Sequence, residues 1–104
     1  MNFKSFDISS ENNTALENEI AFYIASARAG GAELVKFSFL PDNERGYIAA
    51  QKILRALKKK GRVEFFELYE KITSDSTEAR FLRNKYSDCI LKDSIGQRAI
   101  IVKL

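Results

Sequence analysis

Arg45, Lys52, Arg55, Lys59 and Arg62 are the residues whose type and spacing best suit a chemical task, and that task is neutralising phosphate. At 100° per residue they fall on one stripe roughly 100° wide, provided the segment is helical. From Arg45 to Arg62 there are seven basic residues and no acidic one. Such a stripe can hold RNA or DNA by its backbone without reading sequence. The same residues also suit a plain solvated face, with Lys58, Lys59 and Lys60 complementing the negative end of a helix dipole. Both accounts stand at this point.

Other chemistry has less to work with. The chain contains no histidine. Histidine is the commonest general acid/base and transition-metal ligand near neutral pH. Ser-His-Asp, Cys-His and histidine-based zinc sites are therefore excluded. A hydrolase would need carboxylates with a hard cation, or lysine. Asp7, Asp42 and Glu44 would hold magnesium if the ends of the strands gathered them. Ser9, Ser10 and Ser38 have only lysine as a base, and Lys36 shares a strand face with Ser38. The aromatics Phe37, Phe39, Phe65 and Phe66 offer stacking surfaces for bases, but their strand-like setting favours core packing. No catalytic residue, metal ligand or cofactor is assigned.

The bulk properties set the frame for these residues. With 104 residues, the chain is read as a single domain spanning 1–104. Hydrophobic residues make up 45% and charged residues 30%, which suits a folded core rather than disorder. The net charge of +3 hides an asymmetry. Residues 1–44 carry three basic and seven acidic side chains, a net of −4. Residues 45–104 carry fourteen and seven, a net of +7. This split hints at a polyanionic partner, or at pairing between the two halves. The single cysteine, Cys89, cannot form an internal disulfide and reads as a small core residue. The opening residues lack the apolar run of a signal peptide, and no segment approaches the ~20 apolar residues of a membrane span. A cytoplasmic location without membrane contact is expected.

The elements follow from periodicity. Residues 3–8 alternate weakly and read as a first strand. Thr14-Ala15-Leu16-Glu17 fits a capping box that opens a helix. Leu16, Ile20, Tyr23, Ile24 and Ala27 form its apolar face. Gly30-Gly31 ends it. Residues 33–40 form a second strand with apolar groups on both faces, which suggests a central place in the sheet. Pro41-Asp42-Asn43 turns the chain into a second helix, about 44–60, with Ala50, Ile53, Leu54 and Leu57 inward. Gly61 stops it. Residues 62–69 read as a third strand, with a helical start near Phe66 as the alternative. A third helix, capped near Asp75 to Glu78 and running through Tyr86, would turn Ala79, Leu82 and Tyr86 inward. Two last strands, 88–92 and 98–103, complete the pattern, and the second of these is apolar enough to lie inside the sheet. The fold class is α/β: a two-layer sandwich on a mixed sheet, in the approximate order β-α-β-α-β-(α)-β-β, with right-handed crossovers.

The layout resembles the Smr domain, the small module found at the C-terminus of MutS2 proteins and in stand-alone proteins. Phe6-Asp7-Ile8-Ser9 matches that family's opening L-D-L-H strand, and Thr14-Ala15-Leu16-Glu17 its T-x-x-E-A helix start. The run from Gly31 to Phe39, with the helix ending Ile53-Leu54-Arg55-Ala56-Leu57, is similar to its G-x-x-x-V-x-x-I-H-G-x-G…L-R segment. Gln97 to Leu104 is similar to its closing G-A-T-x-V-x-L strand. Ser9 and Phe39 stand where the family has histidines, and Leu40 replaces a glycine. The glycine-rich loop is here Pro41-Asp42-Asn43-Glu44-Arg45-Gly46. Asp7 alone remains of the family's proposed active residues. The resemblance thus implies a degenerate member, with nucleic-acid binding kept and nuclease activity in doubt.

The expected function is a small non-enzymatic binding module that contacts RNA or DNA phosphates through Arg45, Lys52, Arg55, Lys59 and Arg62. The alternatives are a protein–protein or homo-oligomeric assembly domain and, last, a metal-dependent nuclease using Asp7.

Overall fold

A computed structural model describes residues 2–69, 77–86 and 98–104. The elements run in the order β1 (Phe3–Ile8), α1 (Asn13–Ala29), β2 (Leu34–Phe39), α2 (Glu44–Lys59), β3 (Phe65–Tyr69), α3 (Thr77–Tyr86) and β4 (Arg98–Lys103). The expected strand at 88–92 and Cys89 lie outside the described residues.

The sheet has four strands in the order β1-β2-β4-β3. β1 runs parallel to β2, with Phe6 opposite Phe37 and Asp7 opposite Ser38. β4 is antiparallel to both β2 and β3. The sheet is therefore mixed, and β2 and β4 are its inner strands. Their composition accounts for this position. All six residues of β2 are buried, as are Ala99 to Val102 of β4. Strands covered on both faces carry apolar residues on both. β4 does so without a break from Ala99 to Val102, while β2 also buries Lys36 and Ser38 on one of its faces.

One hydrophobic cluster joins Leu16, Ile20, Ile24 and Ala27 of α1, Tyr47, Ala50 and Leu54 of α2, and Val35, Phe37, Ile100 and Val102 of the sheet. Both helices therefore lie on one face. Leu34, Lys36, Ser38, Ala99 and Ile101 occupy alternate positions on the opposite face, and they too are buried. There α3 meets β3, with Lys85 paired to Glu67 and lying over the Phe65 ring. A helix is therefore found on each face of the sheet, and the α/β class holds without the two-layer arrangement expected from the sequence.

Several boundaries differ from the sequence reading for local reasons. The N-cap of α1 is Asn12, not Thr14. The Asn12 carboxamide oxygen accepts from the backbone N–H of Thr14 at 2.9 Å and of Ala15 at 3.1 Å. Thr14 already sits inside the first turn. At the other end of α1, Gly31 takes a φ of 76°, the left-handed conformation that glycine adopts most cheaply. α2 ends at Lys59, and Gly61 reverses the chain with φ 70°. The Arg62 N–H returns to the Leu57 carbonyl at 2.9 Å. β3 consequently starts at Phe65, three residues later than expected. Among the described residues, no helix is long and apolar enough to cross a membrane.

Candidate nucleic-acid interface

α2 presents its basic face because its other face is committed to the core. Gly46, Tyr47, Ala49, Ala50 and Leu54 are buried. Arg45, Lys52, Arg55 and Lys59 lie opposite them on the same helix and are all exposed. Arg62 is also exposed but lies beyond the helix end. The turn at Gly61 therefore removes it from the stripe that a continuous helix would have made. None of the five side chains forms an ion pair with a described residue. Pairing between the acidic and basic halves does not consume them.

The N-terminus of α2 is held by a compact node. Asn43 caps the helix, its Oδ1 accepting from Gly46 N at 3.1 Å. Its Nδ2 donates to the carbonyls of Ile8 at 3.2 Å and Ser10 at 3.3 Å. The loop after β1 is thus tied to the start of α2. The same loop is tied to α1, since Ser10 Oγ donates to Glu19 Oε2 at 2.6 Å and Tyr23 OH donates to Glu19 Oε1 at 3.0 Å. The bond to Glu19, burial, and the nearby charges of Glu19 and Asp7 push the Tyr23 phenol above its usual 10.0. The tyrosine ring also stacks on Phe6 at 4.2 Å.

Two open grooves flank α2. The first, of about 470 Å³, lies between α1 and α2. Lys52, Lys60 and Arg62 line it together with Asn13, Thr14 and the carboxylate of Glu17. The second, of about 560 Å³, lies between α2 and β3 and is lined by Arg55, Lys58, Lys59 and Phe66. The stripe read from the sequence is thus divided between two grooves, and Arg45 lines neither. Lys58, Lys60 and Phe66 are additions from the structure. The lysines were visible in the sequence as helix-end charges. Phe66 was read as core, and it does pack against the core while also walling a groove.

The alternative chemistries are less well placed. Asp7, Asp42 and Glu44 do not come together, and the described residues hold no group of three acidic or cysteine side chains able to hold a metal. Asp7 lines a small cleft of about 170 Å³ with Ser9, Ser38 and Leu40 at the C-terminal ends of β1 and β2. Lys36 and Ser38 are both buried on the sheet face opposite α1 and α2.

No protein-family model, curated protein or solved structure matches this chain.

Proposed function

We propose that the chain is a non-enzymatic binding module that contacts nucleic-acid phosphates through the exposed face of α2. One observation carries this reading. Arg45, Lys52, Arg55 and Lys59 are exposed on one helix face, with no described carboxylate paired to them. Lysines and arginines so placed attract a polyanion and gain by releasing its counterions. Ile48, 43% exposed, lies within the same stripe, but a protein surface partner would take fewer like charges and more apolar area at its centre than one isoleucine among four cations.

As part of the same proposal, we place the chain beside the Smr domains as a degenerate member. Asp7 remains, but the glycine-rich loop is replaced by the Asn43 cap and a packed Gly46. That segment holds the fold together instead of offering backbone to a phosphate.

The test is binding to short labelled RNA and DNA over a salt series, with and without Lys52→Glu/Arg55→Glu/Lys59→Glu. Salt-sensitive binding that the triple change abolishes supports the reading. Absence of binding at low salt refutes it.

A further inference from the structure

The two grooves beside α2 differ in what they offer a nucleic acid. The α1-side groove mixes three cations with Glu17, and its floor is aliphatic, from Ile53 and Leu57. The β3-side groove has Arg55, Lys58 and Lys59 on one wall and the ring of Phe66 on the other, with no carboxylate among its described lining. Sheet order explains why an aromatic ring is available there. β3 is the outermost described strand next to β4, and the connection through α2 starts from β2, on the far side of β4. The helix layer is shared among four strands, so Phe66 stays partly open where Phe37 and Phe39 are sealed.

We infer that the groove between α2 and β3 takes single-stranded nucleic acid, with a base stacked on Phe66 and the neighbouring phosphates on Arg55, Lys58 and Lys59. This rests on the phosphate-contact reading and adds the form of the ligand. A duplex keeps its bases stacked on one another and presents phosphates alone. A single strand can turn a base outward onto an aromatic wall while its backbone follows the cations. Every base has a π-face, so the groove would be tolerant of sequence.

The experiment compares oligonucleotides of about twelve nucleotides, a length suited to a small binding surface. The probes are oligo(dT), oligo(rU), an abasic deoxyribose-phosphate strand of equal length, and a duplex, each measured by fluorescence anisotropy at low salt. The wild-type protein should bind at least one base-bearing single strand roughly 5-fold or more tightly than the abasic strand, the scale of one stacked base. Comparing the two base-bearing arms tells whether deoxyribose or ribose is preferred. Phe66→Leu should close the gap and Phe66→Tyr should keep it, with circular dichroism melting showing that both variants fold. Equal binding of the abasic and base-bearing strands by the wild-type protein would overturn the inference and leave phosphate contact standing. No binding in any arm would overturn the phosphate-contact reading and the inference with it. The wild-type comparison decides the matter even if Phe66→Leu fails to fold.

Discussion

A β-carbon on Gly46 would lie 2.5 Å from the Ser10 carbonyl oxygen and 2.6 Å from Asn43 Nδ2. Neither neighbour can yield easily, because Asn43 is buried and bonded on both ends of its amide. Alanine gains about 1 kcal/mol over glycine inside a helix. Overpacking of a tight site costs about 1–3 kcal/mol. Gly46→Ala is therefore expected to lower stability, by up to about 2 kcal/mol net, read as a lower urea midpoint. Asn43→Ala should also destabilise, by about 1 kcal/mol or more, since it removes the cap and leaves two carbonyls without their donor. At Tyr23 the expectation concerns pH. Its folded-state pKa is raised, chiefly by the hydrogen bond to Glu19. Stability from the protonated phenol is fully present below 10.0 and is lost as the pH climbs through the higher folded value. Tyr23→Phe should flatten that alkaline decline, seen by comparing denaturation midpoints from neutral pH to above 10.0.

At the scale of elements, the helix starts show what sequence patterning can and cannot resolve. Thr14 and Glu17 match the capping-box spacing, yet Asn12 is the cap. Two asparagines and a threonine in a row all suit a helix start, and spacing alone does not choose among them. Asn12→Ala should cost about 1 kcal/mol, while Thr14→Ala should be close to neutral, since only the first removes an acceptor from free N–H groups. Thermal melts of the two variants side by side would check this. The strands were easier to read. β2 is apolar at four of its six positions, on both faces, and β4 has an unbroken apolar run from Ala99 to Val102. This pattern suits inner strands, and their places in the sheet follow. Tyr47 was missed as a core residue because it lies in the first turn of α2, just after the polar Glu44-Arg45 start. It is buried edge-on against Phe39, with the Arg98 guanidinium over its ring. Helical spacing did carry the signal, since Tyr47 precedes Ala50 by three residues and Leu54 by seven on the same buried face. Only its partners, Phe39 and Arg98, were beyond the reach of periodicity.

For the molecule as a whole, the basic half of the sequence does not spend its α2 cations on the acidic half, since Arg45, Lys52, Arg55 and Lys59 are exposed and form no ion pair with a described residue. The exposed basic face of α2 was legible because helical periodicity is reliable along an uninterrupted helix. Its division into two grooves was not legible, because it depends on the turn at Gly61 and on which strand lies beyond α2. Glu17, reaching the α1-side groove from the acidic half, provides a way to separate two electrostatic effects. The slope of log K against log salt counts the phosphates that are neutralised, at about −0.7 for each contact on a single strand. Arg45, Lys52, Arg55 and Lys59 together would give a slope of about −3, and Lys58, the further cation of the β3-side groove, would steepen it by about 0.7. Glu17 contacts no phosphate in such a complex and only repels the strand at a distance. Glu17→Gln should therefore tighten binding at low salt, by roughly 2-fold, lose that effect as the screening length falls below about 10 Å, and so steepen the slope by well under the ~0.7 of one phosphate contact. Arg55→Gln should do the reverse, weakening binding and flattening the slope by about 0.7. If instead both variants moved the slope alike, the charges would be acting as a diffuse field, and α2 would attract nucleic acid without holding its phosphates one by one.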